Sequence, residues 1–255
     1  MKKLFFFLSV FLLSSLLFSL EVDRNELQST ENQTIEFINY SGPHKVIESI
    51  DAIKGIGTSL GNAVSPSPTE PITTQTNAKY YVVHAIDNST NSKLDADIMF
   101  INSDATVDHI VNLRRIISAY LTSAYGYSQS DADTLAVFIT VYNAVNRGKI
   151  SSYQDKYKDA VINNLTSDNC GLSINYSDWP GKSQIVIPLY DVSKGGLSTV
   201  DTSVISDSKV VESMQTDDGK NIDSRKEMVD IKEREATEAS QNAQDSQKKA
   251  VEEQP

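Results

Sequence analysis

The stretch from Asp104 to Leu189 constrains the fold most, because three consecutive runs with helical periodicity are followed there by a strand pattern. Each run carries its apolar residues on one stripe at helical spacing. The stripes are Val107, Ile110, Leu113, Ile117, Tyr120, Leu121 and Ala124, then Leu135, Phe138, Ile139, Tyr142 and Val145, and finally Tyr153, Tyr157, Ala160, Val161, Asn164 and Leu165. Short turns between such runs predict antiparallel neighbours in a small helical layer.

The strand pattern is Gln184–Leu189, which follows the turn sequence Trp179-Pro180-Gly181-Lys182. Apolar and other residues alternate along it, and Pro188 lacks a backbone N–H, so an edge position or a strand end is predicted. Two more stretches, Lys79–Ile86 and Leu94–Ile101, are rich in Tyr, Val, Ile and Phe and are separated by a polar turn. This arrangement predicts a β-hairpin.

A further short strand is predicted at Thr34–Tyr40, a helix over the following apolar pattern from Val46 to Leu60, and a loop at Ser65–Ala78. Strands and helices then segregate along the chain, which is typical of the α+β class. We predict three to four helices in one layer with a three- to four-stranded sheet, followed by a disordered or charged helical tail.

The chain begins with Lys2 and Lys3 before an unbroken apolar run, Leu4–Leu20, which has the form of a secretory signal peptide. An uncleaved membrane anchor is the alternative, since the run is close to spanning length. Four segments are predicted: a signal peptide at 1–20, an α+β head at 21–190, a linker at 191–222, and a charged helix or coiled-coil start at 223–255. No membrane span is predicted after the signal peptide.

The segment after Tyr190 contains no Phe, Trp or Tyr and few large apolar residues. Such a composition cannot bury enough surface to fold alone, so a solvated acidic tail is predicted. From about residue 223 the charges become denser, and Val229, Ala236, Ala243 and Ala250 recur every seven residues. This predicts a marginal charged helix or the start of a coiled-coil region, and we expect oligomerisation through the part of that region that is missing here. The sequence stops inside that pattern, as a partial sequence does.

The formal net charge is -11, and removal of Lys2 and Lys3 leaves 21 basic against 34 acidic residues. An acidic chain argues against nucleic acid and against an anionic membrane surface as partners. Cys170 is the only cysteine, which excludes an intrachain disulfide despite the predicted export. We expect it to be a buried small residue; an intermolecular bridge or a reactive thiol is the alternative.

No motif for catalysis or metal binding is found. The histidines at 44, 84 and 109 are scattered. Asp95-Ala96-Asp97 and Asp131-Ala132-Asp133 lack the further ligands and the glycine of a calcium loop, so they are interpreted as strand-face charges and a helix cap. Gly55-Ile56-Gly57, followed by Gly61, does not have dinucleotide-loop spacing, and close helix packing or a frayed helix end is favoured. We therefore predict no cofactor, no metal and no catalysis.

Three residues are candidates for binding a partner: Arg114, Arg115 and Trp179. Guanidinium groups bind carboxylates bidentately, so the arginine pair can clamp an acidic partner. Pairing with a carboxylate of the same domain is the alternative. Trp179 can stack a sugar or a peptide, although a lone Trp beside a turn is more often a lid on the core.

Several blocks of the sequence together resemble the amino-terminal part of the Borrelia 83/100-kDa antigen family of spirochaetes. They are Glu21–Arg24, Phe37–Pro43, Gly55–Gly57, Asn112–Ile116, Ile139–Gly148, Gly171–Ser173 and Tyr176–Leu189. The resemblance implies an exported, envelope-associated antigen with no established catalytic residue. Family members also carry a long Lys/Glu-rich helical middle and a carboxy-terminal domain, so we expect this sequence to be partial. Cys170 departs from the family pattern.

Two functions follow from these observations. The first is an exported cell-envelope antigen with a structural or protein-interaction role, periplasmic or envelope-associated and possibly at the surface, with envelope or host proteins as partners. The alternative is a ligand-binding or hydrolytic enzyme with a cleft near Trp179 and Arg115. A pocket in which Trp179, an arginine and a carboxylate converge would favour the alternative.

Overall fold

The computed structural model describes residues 35–42, 49–74, 79–89, 91–190, 192, 199–214 and 220–252. The predicted signal peptide at 1–20 lies outside the described residues. Within them the chain is 51% helical and 16% strand, which confirms the α+β class. The helices are α1 (Ile50–Val64), α2 (Ile110–Tyr125), α3 (Gln129–Val145), α4 (Ile150–Gln154), α5 (Asp159–Ile162), α6 (Thr202–Ile205), α7 (Ser208–Ser213) and α8 (Lys220–Glu252), with a 3-10 turn at Tyr176–Asp178.

The sheet is antiparallel, with strands in the order β1-β2-β3-β4. These strands are β1 (Ile72–Thr73), β2 (Tyr80–Ala85), β3 (Asp95–Ile101) and β4 (Ser183–Leu189). The predicted hairpin is confirmed as β2–β3, in a register that sets His84 opposite Asp97. β4 pairs with β3 along its whole length and is an edge strand, as Pro188 predicted. β1 lies in the stretch that was predicted to be a loop.

The outer edge of β4 is covered by the amide side chain of Asn143 on α3. Its Nδ2 donates to the Val186 carbonyl at 2.8 Å, and the Val186 N–H donates to its Oδ1 at 2.8 Å. Thus one side chain replaces a neighbouring strand at this position, which satisfies the backbone groups that an edge strand otherwise exposes. All seven residues of β4 are buried.

The helical layer consists of α1, α2, α3 and α8, each packed against the next. Glycines allow α1 to approach α2 closely: a Cβ added at Gly61 would lie 2.7 Å from the Ser123 Cβ, and Gly57 lies against the Ile116 carbonyl. This confirms the prediction of close helix packing for these glycines.

The predicted third helix is wrong in one respect, because the run from residue 150 to 165 is divided into α4 and α5. The break at residues 155–158 has a backbone cause. The Leu94 N–H donates to the Lys156 carbonyl and the Lys158 N–H donates to the Leu94 carbonyl, both at 3.0 Å. These bonds to the start of β3 draw the chain out of the helix.

The predicted strand at Thr34–Tyr40 is also wrong. Its described part, residues 35–40, forms one parallel bridge between Ile38 and Asn175 and does not join the sheet. Asn39 explains this position, because its Oδ1 accepts the Ile110 N–H at 2.7 Å and so binds the segment to the beginning of α2.

Part of the predicted linker and tail is packed on the head. Six of its apolar side chains belong to the core: Val200, Ile205, Val210, Met214, Met228 and Ile231. These residues are too few to form a core of their own, but they complete the one that α3 provides. From Ala236 onward every α8 side chain that the structure describes is exposed, so the distal part of α8 is the charged, solvated helix that the composition predicted. None of the helices in the described ranges is long and apolar enough to cross a membrane.

Candidate functional site

A cleft of about 490 Å³ lies where α1, α2, α3 and α8 meet. We call it the charged cleft and define it by its ionisable residues, Lys54, Arg114, Arg115, Asp133, Asp223 and Glu227. Val111 and Val137 add apolar surface, while Ser130 and Thr134 add hydroxyl groups. Three cationic and three anionic side chains from four helices thus share one cleft.

Arg114 is held on the surface of the helical layer by its neighbours. Its Nε donates to Thr140 Oγ1 at 3.0 Å, and its guanidinium carbon lies 5.7 Å from the centroid of the Phe37 ring. The second contact is a cation–π interaction. Arg114 therefore connects α2 to α3 and to the segment before α1.

Arg115 and Lys54 are less constrained. Arg115 is half-buried, and the hydrogen bond that the structure gives its side chain is from Nη1 to Asn112 Oδ1 at 2.7 Å. Among the described residues, no carboxylate forms an ion pair with Arg115 or with the half-buried Lys54. The predicted alternative of an internal carboxylate partner is thus not found for Arg115 in this part of the chain.

Two of the carboxylates in the cleft have other partners. Asp133 Oδ1 accepts hydrogen bonds from Ser118 Oγ at 2.6 Å and from Gln129 Nε2 at 2.8 Å. Glu227 lies 3.8 Å from Arg234, which also pairs with Asp131 at 2.5 Å. The anionic groups are thus bound to their own side of the cleft.

Trp179 is completely buried and lines neither described cleft. Its Nε1–H donates to the Ser173 carbonyl at 2.7 Å, so the one polar atom of the ring is satisfied inside the protein. Gly181 has a φ of 73°, and its N–H donates to the Ile101 carbonyl, which turns the chain into β4. Trp179 therefore covers the core beside a turn, which is the second of the two roles that the sequence analysis considered for it. The convergence of Trp179 with an arginine and a carboxylate does not occur in the described clefts.

A second, mainly apolar cleft of about 320 Å³ lies next to this turn. Tyr40 and Tyr176 form its aromatic wall in an edge-to-face contact, with ring centroids 5.7 Å apart. Val107 and Pro180 complete the apolar lining. The exposed side chains of Ile38 and Ile174 belong to the two segments that bridge nearby.

A buried polar cluster joins the sheet to α2; we call it the sheet network and define it by His84, Asp97, Tyr120, Tyr125 and the Pro68 carbonyl. His84 Nδ1 lies 2.5 Å from Asp97 Oδ1, and Nε2 lies 2.6 Å from the Pro68 oxygen. Both tyrosine hydroxyls donate to Asp97 Oδ2, at 2.6 and 2.5 Å. The network therefore leaves no oxygen of Asp97 without a donor.

Both ring nitrogens of His84 face an oxygen, of Asp97 and of Pro68, and an imidazolium with an N–H on each nitrogen satisfies both contacts. Burial alone would lower the pKa of His84, but Asp97 and the Pro68 carbonyl outweigh burial and raise it. Burial, followed by the Asp97 charge, raises the pKa values of Tyr120 and Tyr125 well above the ordinary one. All four side chains are buried and line no described cleft. The network holds β2, β3 and the segment at Pro68 against α2.

The face by which α8 contacts the head has a different electrostatic character. We call it the α8 docking face: Arg225, Met228, Ile231, Lys232 and Glu235. Burial lowers the pKa of Lys232 to about 8 and raises that of Glu235 to about 7. The Lys232 Nζ, the Glu235 Oε1 and two nitrogens of Arg225 are buried without a hydrogen-bond partner within the part of the chain that the structure describes. The other Glu235 oxygen accepts from Thr202 at 2.6 Å.

Metal-ligating side chains do not gather into any group of three or more among the described residues. Cys170 is buried and its thiol contacts the Ser167 carbonyl at 3.7 Å, which agrees with a small core residue. Burial also raises the pKa of the Cys170 thiol.

Sequence reasoning missed Lys54 and the sheet network. Lys54 gives no signal, because a single lysine in an amphipathic helix is ordinary. His84 and Asp97 could have been paired, since each interrupts an apolar strand at a position that the hairpin register places opposite the other.

Fold and cleft together define an α+β head with a charged cleft between helices. The chain belongs to the Borrelia P83/100 protein family, which it matches over residues 24–255. This is a family of Borrelia antigens, as the sequence blocks predicted, and membership indicates an exported or envelope protein. No curated protein and no solved structure matches the chain.

Proposed function

We propose that this protein acts in the Borrelia cell envelope as a structural or interaction protein, without catalytic turnover. The observation that supports the proposal is the charged cleft. Its walls are helical, and two of its cations, Lys54 and Arg115, have no ion pair among the described residues, so the cleft offers positive charge to a partner. Charges that complement those of a partner provide specificity in protein interfaces.

The enzymatic alternative has less support. It requires Trp179 in the same pocket as Arg115, whereas Trp179 is buried elsewhere with its indole nitrogen satisfied. The sheet network contains a His–Asp pair, but the pair is buried and each of its polar atoms is bonded within the network. A general base needs contact with a substrate proton, which this enclosure prevents.

We propose envelope or host proteins as the partners and the head as the specific element, with the distal part of α8 as a charged spacer. Oligomerisation through a coiled coil stays a prediction. The choice between the periplasm and the cell surface also stays open; protease treatment of intact and permeabilised cells distinguishes the two.

Site-specific photocrosslinking in whole cells tests the interaction role. p-Benzoylphenylalanine replaces Ser130, an exposed residue at the charged cleft, and in a control it replaces Asp168, which is exposed and lies outside the cleft. We expect a discrete protein adduct from position 130 that position 168 does not give. Equal adduct patterns from both positions would remove the cleft as an interface. Substrate turnover by the purified chain would overturn the non-catalytic role.

A further inference from the structure

The charged cleft has an uneven distribution of available charge, although its formal charges balance. Asp133 accepts from Ser118 and Gln129, and Glu227 lies beside Arg234. On the opposite wall, no described residue forms an ion pair with Lys54 or Arg115. Ser118 and Gln129 are neutral, so they occupy an oxygen of Asp133 without cancelling its charge. The charged groups of the cleft that keep unused hydrogen-bonding capacity on the other side are Lys54 and Arg115, with Asp223 at the exposed rim as a carboxylate without a described partner.

Arg115 has a geometry suited to a carboxylate. A guanidinium has five N–H donors in a planar fork, and one nitrogen here is directed to Asn112. The bond to Asn112, on the same helix one turn earlier, holds the side chain without neutralising its charge. Lys54 approaches from α1 and adds a second positive charge to the same cleft.

The size and lining of the cleft favour a peptide over a small inorganic anion. A volume of about 490 Å³ is in the range of sites for drug-sized ligands and far exceeds one phosphate. Val111 and Val137 provide apolar surface for the methylene groups of acidic side chains, and the hydroxyls of Ser130 and Thr134 provide polar contacts.

We propose that Lys54 and Arg115 form a recognition site for an acidic peptide segment, rich in Glu or Asp, of a protein partner. Arg115 binds one carboxylate through its fork, Lys54 supplies the second positive charge, and Arg114 is a fixed part of the wall. This inference rests on the proposed interaction role and specifies the chemistry of the partner.

Fluorescence anisotropy with a labelled Glu-rich peptide tests the site in the full chain, beside the same peptide with Gln in place of Glu. We expect the protein to prefer the Glu peptide. The double variant Lys54→Gln/Arg115→Gln should bind it roughly tenfold more weakly or worse, the loss expected from one charged hydrogen-bonded contact. Lys182→Gln/Lys209→Gln changes the net charge equally at exposed positions outside the cleft and should bind normally.

Arg115→Lys keeps the charge and removes the fork, so its affinity should fall between those of wild type and the double variant. This conservative variant also answers the question if the double variant does not fold, which circular dichroism reports. Equal binding by wild type and Arg115→Lys, or no preference for Glu over Gln, overturns carboxylate recognition. Competition by inorganic phosphate as strong as that by the peptide would instead show a small-anion site and also overturn the proposal.

Failure of this inference can be distinguished from failure of the interaction role. A discrete adduct from position 130 together with no preference for the Glu peptide leaves an interacting cleft with a different partner chemistry. Absence of both results removes the cleft from the function of the protein.

Discussion

At the sheet network, Asp97 accepts hydrogen bonds from His84 and two tyrosines, whereas on the α8 docking face Arg225 and Lys232 have buried nitrogens without described partners. Both regions bury charge against a helix of the same layer. In the first, every charged atom meets a group of the opposite polarity. On the α8 docking face, burial removes water from the charges, and the described residues provide few hydrogen bonds in place of that water.

This difference determines which region opens first. Buried charges that are paired and hydrogen-bonded are costly to separate, while unpaired ones lower the cost of exposing the element that carries them. Among the α8 side chains that the structure describes, the large apolar ones that are buried are Met228 and Ile231. We infer that α8 is a unit of low local stability on a stable head, in the sense that hydrogen exchange defines.

Among the variants that test this comparison, we expect Asp97→Ala to have the largest effect on the free energy of unfolding. Removal of this carboxylate leaves the His84 imidazolium and two tyrosine hydroxyls without their acceptor in a buried site. Breaking a buried pair by removing one partner costs about 3–5 kcal/mol, so we expect a loss of that size in the free energy of unfolding. Urea denaturation measures it.

Asp168→Ala is the matched control, since Asp168 is exposed and its loss should change stability by no more than about 0.5 kcal/mol. A loss at position 97 as small as that at position 168 would mean that the sheet network is not the stabilising element described above.

The sequence predicted the parts of the fold whose pattern is local. α2, α3 and the β2–β3 hairpin follow from periodicity, and the edge position of β4 follows from Pro188. The division between α4 and α5 could not be predicted, because its cause is a pair of backbone bonds to Leu94, far away in the sequence. The packing of residues 199–214 and 220–235 was missed for a similar reason: their few apolar residues are insufficient to form a core alone but sufficient when packed against α3.

The candidate site was predicted in part. The arginine pair was identified from its chemistry, and the structure places both arginines in the charged cleft. Lys54 joins them only through the close packing of α1 on α2, which depends on Gly57 and Gly61. Sequence reasoning identified that close packing but could not determine which side chains it would bring together.

The two regions should also respond differently to pH. Burial raises the pKa of Glu235 to about 7, so its contribution to docking is present below the ordinary Glu value and is lost as pH rises through about 7. Burial lowers the pKa of Lys232 to about 8, so its contribution is present above the ordinary Lys value and is lost as pH falls through about 8. Docking of α8 should therefore be weakest between these two values.

The sheet network should show no such minimum. The pKa of His84 is raised, so its contribution is complete below the ordinary His value and decreases steadily as pH rises through the raised one. Hydrogen exchange of α8 and α2 amides, corrected for intrinsic rates, measures both profiles.

On the α8 docking face, the other charged groups that face Lys232 and Glu235 are Asp201, Asp207 and Glu238. Lys232→Met/Glu235→Gln should flatten the α8 profile, and maximal protection of α8 near neutral pH would contradict the assignment.

The smallest effect should come from Arg225→Met. Arg225 is 3% exposed, and its Nε and one terminal nitrogen have no partner among the described residues. A methionine fills a similar volume without a charge to dehydrate, so we expect α8 docking to be stabilised by about 1 kcal/mol. Slower exchange of α8 amides would report it.

Arg234→Met is the control on the same helix, because it removes the ion pair with Asp131 and should weaken docking by up to about 1 kcal/mol. Opposite signs for the two variants would establish that α8 is held by its apolar residues and its Asp131 contact, against the burial of Arg225. Faster exchange in Arg225→Met would mean that the guanidinium contributes to docking, and α8 would then resemble the sheet network.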